Sequence, residues 1–153
     1  MQIGVYGSGY LGTVISACLA DFGTPVSCCH PDRSRMVEMA QGNIPFFEKN
    51  LKEIIRRNVR AGRLAYSTDI ESFARRTGVI FLAEDKPEGL SDIAIRIIRL
   101  APKPPVLIIV TPVPVASSAI SRRKRMPEVG LICPRTTRCL LARMRTVCFP
   151  RSR

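Results

Sequence analysis

The chain has one histidine, His30, and none of its six cysteines (18, 28, 29, 133, 139 and 148) stands at C-x-x-C spacing from another. That removes the usual spacing of zinc and dithiol redox sites, and nothing suggests a disulfide framework. No basic residue precedes the uncharged stretch from Gln2 to Ala20, as a secretory signal would require. The same stretch is interrupted by Ser8, Thr13, Ser16 and four glycines, so it falls short of the roughly 20 apolar residues of a membrane span. A reducing, cytoplasmic compartment with no membrane association is the expectation. Acidic residues are scarce in one region only: residues 117–153 hold 10 basic residues against the single Glu128, whereas residues 1–116 hold 14 against 11. The formal charge of +12 therefore resides almost entirely in the tail, and the body is close to balanced.

What is present suits one globular domain. At 153 residues and 46% hydrophobic, the chain is long enough for a single core. Residues 2–6 read as a short buried strand, and residues 10–22 set Leu11, Val14, Ile15, Cys18, Leu19 and Phe22 at helical spacing. "PVSCC" reads as a second strand, and Asp32 as the N-cap of a helix over "RSRMVEMAQ" that stops at Gly42. "LKEIIRRNVRAG" carries Leu51, Ile54, Ile55, Asn58 and Val59 on one face with basic residues opposite, which is a solvated helix face. "RLAYST" is extended, Asp69 caps "IESFARR", and "GVIFLAE" and "PVLIIV" are buried strands separated by the helical "LSDIAIRIIRLA". Strands alternating with helices predict an α/β fold, a doubly wound parallel sheet of Rossmann-like type with helices on both faces. We divide the chain into a folded α/β domain, 1–116, and an irregular Arg-, Pro- and Cys-rich tail, 117–153, expected to be poorly ordered or badly packed.

Gly7, Gly9 and Gly12 form G-S-G-Y-L-G between the first strand and the first helix, the context in which G-x-G-x-x-G carries meaning. The first glycine permits a sharp turn, the second lets backbone approach a pyrophosphate, and the third lets helix and strand pack closely. The helix N-terminus then presents N–H groups and the positive end of its dipole to the phosphates. The acid expected about 20 residues further on, which binds the adenosine ribose, is replaced by His30, 18 residues after Gly12. A neutral imidazole has a single acceptor nitrogen, so weaker binding is expected. With Arg33 and Arg35 just beyond, the preference for NAD over NADP is weakened too.

These residues, with "GNIPFFEKNLKEIIRRNVRAGRLAYSTDI" and "VIFLAE", resemble the N-terminal domain of the UDP-glucose/GDP-mannose dehydrogenase family from residue 1 to about residue 116. The resemblance implies a Rossmann domain and NAD as cofactor. It also implies, for a full-length member, oxidation of a nucleotide sugar's primary alcohol to a uronate through a thiohemiacetal on a cysteine. It assigns the cofactor site to Gly7, Ser8, Gly9, Tyr10, Leu11 and Gly12, with Arg35 at a basic position beside the ribose and His30 where the acid is expected. Two departures stand out. "EDKP" replaces the family's G-T-P turn and brings Glu84 and Asp85 near phosphate, and Pro112 replaces a threonine used near the nicotinamide.

The family's N-P-E-F-x-x-E-G segment and the domain supplying its nucleophilic cysteine have no counterpart after residue 117, where the text reads as translation in a shifted frame. Cys133, Cys139 and Cys148 have no family motif around them, and neither a catalytic nor a metal-binding residue is assigned. The chain alone is expected to be inactive. The alternative is a non-catalytic dinucleotide-binding module, acting as a sensor or a partner subunit. Nucleic acid is disfavoured as a partner of the basic tail, whose only aromatic residue is Phe149. An uncovered sheet edge makes self-association an expectation.

Overall fold

The structure, a computed structural model, describes residues 2–85, 88–110 and 131–132. Its elements run β1 (Gln2–Tyr6), α1 (Tyr10–Asp21), β2 (Val26–Cys29), α2 (Arg33–Ala40), α3 (Leu51–Arg60), β3 (Leu64–Ser67), α4 (Ile70–Arg76), β4 (Thr77–Leu82), α5 (Leu90–Leu100), β5 (Val106–Ile109) and β6 (Leu131–Ile132). They build one sheet in the order β3-β2-β1-β4-β5-β6, and every pairing is parallel. The chain winds outward from β1 to β3 on one side, then returns to β4 against the other side of β1. The strand order therefore reverses between β1 and β4, the place at the carboxyl ends of the strands where a doubly wound sheet carries its crevice.

Side chains alternate across the sheet, so each strand feeds two apolar layers. Val5 and Cys28 join Val14, Ile15, Leu51, Ile55 and Leu64 in a layer that includes α1 and α3. Tyr6 and Cys29 join Phe73, Ile80, Leu82, Ile97 and Leu107 in the opposite layer, with α4 and α5. Covering both faces explains why β2 is buried along its whole length. The doubly wound prediction therefore holds over the described residues.

Residues just beyond the strand ends extend the ladder. Ala83 N–H donates to the Tyr6 carbonyl (2.8 Å), Val110 N–H to Leu82 (2.9 Å), Gly7 N–H to Cys29 (3.1 Å) and His30 N–H to Ser67 (3.3 Å). The rim of the crevice is thus held by backbone.

The predicted caps are present. Asp32 accepts from Arg35 N–H at 3.1 Å, and Asp69 accepts from Glu71 N–H at 3.0 Å and Ser72 N–H at 3.3 Å. The apolar stripe assigned to α1 holds at Val14, Ile15 and Cys18, which are fully buried, and needs correction at its margins. Phe22 is 61% exposed and Leu11 and Leu19 are half-buried, while Gly12, Thr13, Ser16, Ala17 and Ala20 are buried. Helix α1 packs against the sheet and α3 together, so small residues face inward on more than one side. The buried hydroxyls satisfy themselves locally: Thr13 Oγ1 donates to Gly9 O (2.8 Å) and Ser16 Oγ to Thr13 O (3.0 Å).

Asn58, fully buried on α3, ties three elements together. Its amide donates to Ile54 O (2.9 Å) and to Asp21 Oδ1 at the end of α1 (3.1 Å), and its Oδ1 accepts from Arg63 Nε before β3 (2.8 Å). Arg57 also binds Asp21. Partial burial pushes the Asp21 carboxyl up, but the hydrogen bonds from Arg57 and Asn58 outweigh it and hold the group below the usual carboxylate range.

Within the predicted tail only Leu131–Ile132 falls among the described residues. The sequence marked no strand there, yet this pair adds to the sheet beside β5. The shifted-frame reading, Pro112 and Cys133, Cys139 and Cys148 lie outside the described residues. No helix among the described residues is long and apolar enough to cross a membrane.

Candidate functional site

The glycine turn occupies the reversal point of the sheet, between the ends of β1 and β4. Gly7 has φ +132°, and a Cβ on it would lie 2.7 Å from the Ala83 carbonyl carbon, so neither backbone nor space admits a side chain. A Cβ on Gly12 would lie 2.6 Å from Gly7 O, which is the close helix–strand packing expected of the third glycine. Gly9 is the N-cap of α1 and offers no side-chain cap. The positive end of a twelve-residue helix is therefore left facing the crevice without a capping side chain.

Around this turn the structure gathers most of the residues singled out from sequence. Ser8 is buried, and its hydroxyl accepts from Arg35 Nη1 at 3.0 Å, which fixes the guanidinium at the crevice wall. Tyr10 donates from its hydroxyl to Glu48 Oε2 at 3.0 Å and meets Phe46 edge-on, with ring centroids 5.0 Å apart. This places the "IPFFE" loop beside the turn. Leu11 packs half-buried against the α1/α3 layer and so supports the turn from beneath.

His30 sits at the end of β2, and its Nδ1 accepts from Asp32 N–H at 3.1 Å. In the neutral ring the proton is then on Nε2. That nitrogen lies 3.7 Å from Glu84 Oε1. Burial, with Arg35 nearby, lowers the His30 pKa, while burial and then Asp85 raise that of Glu84. With its pKa lowered, the imidazole is neutral at pH 7, and the contact is an N–H facing the Glu84 carboxyl group rather than an ion pair. Glu84 Oε1 is itself buried without a hydrogen-bond partner among the described residues. Tyr6, beneath this pair, is pushed up to about 12 by burial and by Glu84.

The chief feature that sequence alone did not place is the arrangement of "ED" after β4. The sequence marked Glu84 and Asp85 as negative charge near phosphate. Pairing β4 with β1 puts Glu84 against His30 and sets the Asp85 carboxylate directly over Gly9, where a Cβ would otherwise project. Strand order decides this, and no local pattern encodes it. Away from the crevice, burial pushes the Cys28 thiol up to about 12 and Cys29 to about 11; Cys18 is also buried, and none of the three is in a disulfide. None of these thiols is a ready nucleophile.

Residues 1–97 match the model of the UDP-glucose/GDP-mannose dehydrogenase family, NAD binding domain. The chain is 35% identical over 92 residues to a UDP-glucose 6-dehydrogenase of Rhizobium meliloti (strain 1021), a match covering 60% of this chain and 21% of that protein. It is 32% identical over 127 residues to a UDP-glucose 6-dehydrogenase of Bacillus subtilis (strain 168), covering 77% of this chain and 29% of that protein. Its fold resembles a UDP-glucose dehydrogenase from Pyrobaculum islandicum with a TM-score of 0.67 at 21% identity, over 85% of this chain and 34% of that one. The chain thus spans less than a third of the length of these two curated relatives. By the match across most of its described residues, and by the glycine turn set at the reversal of a parallel sheet, the chain belongs to the UDP-glucose/GDP-mannose dehydrogenase family through that family's NAD binding domain.

Proposed function

We propose that the turn from Gly7 to Gly12 binds the pyrophosphate of NAD. The observation that carries this reading is the N-terminus of α1, with no side-chain cap, directed into the crevice beside a turn where only glycine fits. Gly7, Gly9 and Gly12 supply backbone closeness; Ser8 and the Arg35 it holds line the phosphate and ribose side; Tyr10 and Leu11 fix the first turn of the helix. His30 stands at the ribose end, but its one acceptor nitrogen is taken by Asp32 N–H, so it has none left for a ribose hydroxyl. NADP is the competing cofactor, favoured by Arg35 and disfavoured by Glu84.

In a longer protein of this family the bound NAD would accept a hydride from a nucleotide sugar such as UDP-glucose. The residues assigned here bind and orient the dinucleotide, and none is assigned to the oxidation itself. The buried thiols of Cys18, Cys28 and Cys29, none of them in a disulfide, support a reducing, cytoplasmic setting. Calorimetric titration of the 153-residue chain with NADH and NADPH tests the proposal. Saturable heat with NADH, competed by inorganic pyrophosphate, is expected. No saturable heat with either cofactor at millimolar concentration refutes it.

A further inference from the structure

Resting on the dinucleotide reading above, we infer that Asp85 is the affinity-determining residue of the cradle: its carboxylate occupies the space over Gly9 that a ligand phosphate must take, so a dinucleotide binds only after displacing it. Gly9 has no Cβ, and that leaves the floor of the turn open to whatever anion lies nearest. In this chain the nearest is the protein's own, since the atoms closest to a Cβ built on Gly9 are the carboxylate carbon and both oxygens of Asp85. The attraction that would draw a phosphate to the N-terminus of α1, with its dipole and no side-chain cap, draws this carboxylate too.

The surroundings strengthen the effect. Glu84 sits next to Asp85 in sequence and faces His30, so two carboxylates from the β4 exit border the place of an incoming pyrophosphate. Against them stands Arg35, tied to Ser8. Among the described residues no ion pair neutralises Asp85. A dinucleotide therefore meets both an occupied floor and like charge beside it, and each weakens binding. Because Asp85 is exposed, its side chain can swing into water without disturbing the core. The site is thus obstructed and not destroyed.

The test is calorimetry of NADH and of inorganic pyrophosphate with the full chain and with Asp85→Asn and Asp85→Gly. Asp85→Asn removes the charge and keeps the shape; Asp85→Gly removes both. Circular dichroism melts of the three chains should differ by no more than the small loss of one carboxylate at a helix N-terminus, since the replaced side chain is exposed. We expect NADH to bind Asp85→Asn about tenfold more tightly than the parent chain, the size of effect a like-charge contact carries. Asp85→Gly should bind at least as tightly, with pyrophosphate following the same order. Equal affinities across all three chains overturn the role of Asp85 and leave the dinucleotide reading intact. Absence of binding in all three overturns the dinucleotide reading and this inference with it.

Discussion

Replacing Asn58 by alanine tests whether polar bonds, and not apolar packing alone, fasten α3 to the rest of the α1/α3 layer. The side chain is fully buried and makes two hydrogen bonds to charged partners, Asp21 and Arg63, in addition to its bond to Ile54 O. A hydrogen bond to a charged group contributes about 1.5–3 kcal/mol. Asp21 and Arg63 are only partly covered and regain water when the amide is lost, so the lower end applies to each. Two such bonds give about 3 kcal/mol, a large fraction of the roughly 5–15 kcal/mol that stabilises a domain. Urea unfolding followed by circular dichroism at 222 nm, with the slope held common, should show that loss as a lower midpoint. Asn58→Leu fills the space without the bonds and should recover only part of it. A loss below about 0.5 kcal/mol for Asn58→Ala, within the scatter of ordinary surface substitutions, would refute the reasoning.

Other outcomes can be checked in parallel. Gly7→Ala forces a Cβ toward the Ala83 carbonyl at φ +132° and should cost at least about 1–3 kcal/mol of stability, the range for a strained backbone position, read from the same urea melts. The carboxyls of Asp32 and Asp69 are held low, first by side-chain bonds from Ser34 and Ser72 and then by backbone N–H groups. Their folded pKa values lie below the unfolded ones, so their contribution is complete above the unfolded pKa and fades as pH falls through the folded one. Calorimetric melting temperatures should therefore drop between about pH 5 and pH 3, and Asp32→Asn with Asp69→Asn should flatten that drop. Peptide mapping after brief treatment with iodoacetamide at pH 8 should leave Cys18, Cys28 and Cys29 unmodified until denaturant is added, because the three are buried and the Cys28 and Cys29 thiols titrate at about 12 and 11. Spectrophotometric titration should show a phenol ionising at about 12 that Tyr6→Phe removes.

The fold was legible where local chemistry and burial agree. Asp32 and Asp69 announce helix starts because a short carboxylate meets orphan N–H groups, and α3 announces its face because Leu51, Ile54, Ile55 and Asn58 fall on one side. The stripe on helix α1 was legible at Val14, Ile15 and Cys18 but not at its margins, because a helix packed on two sides buries Ser16, Ala17 and Ala20 as well and leaves Phe22 outside. The glycine turn was legible from its spacing between strand and helix. The contacts of Glu84 with His30 and of Asp85 with Gly9 join positions more than fifty residues apart, and they exist only because β4 returns to the side of β1 opposite β2. Leu131–Ile132 carried no signal because two residues are too few to show a period.

The row of main-chain bonds that runs past the strand ends, from Ser67 through Cys29 and Tyr6 to Leu82, makes the crevice rim from groups that every residue type except proline carries. Its shape is therefore insulated from most changes of side chain at His30, Glu84 or Asp85, while its charge is free to drift. A lineage could lose its ligand, or regain one by a single codon, without rebuilding the scaffold beneath.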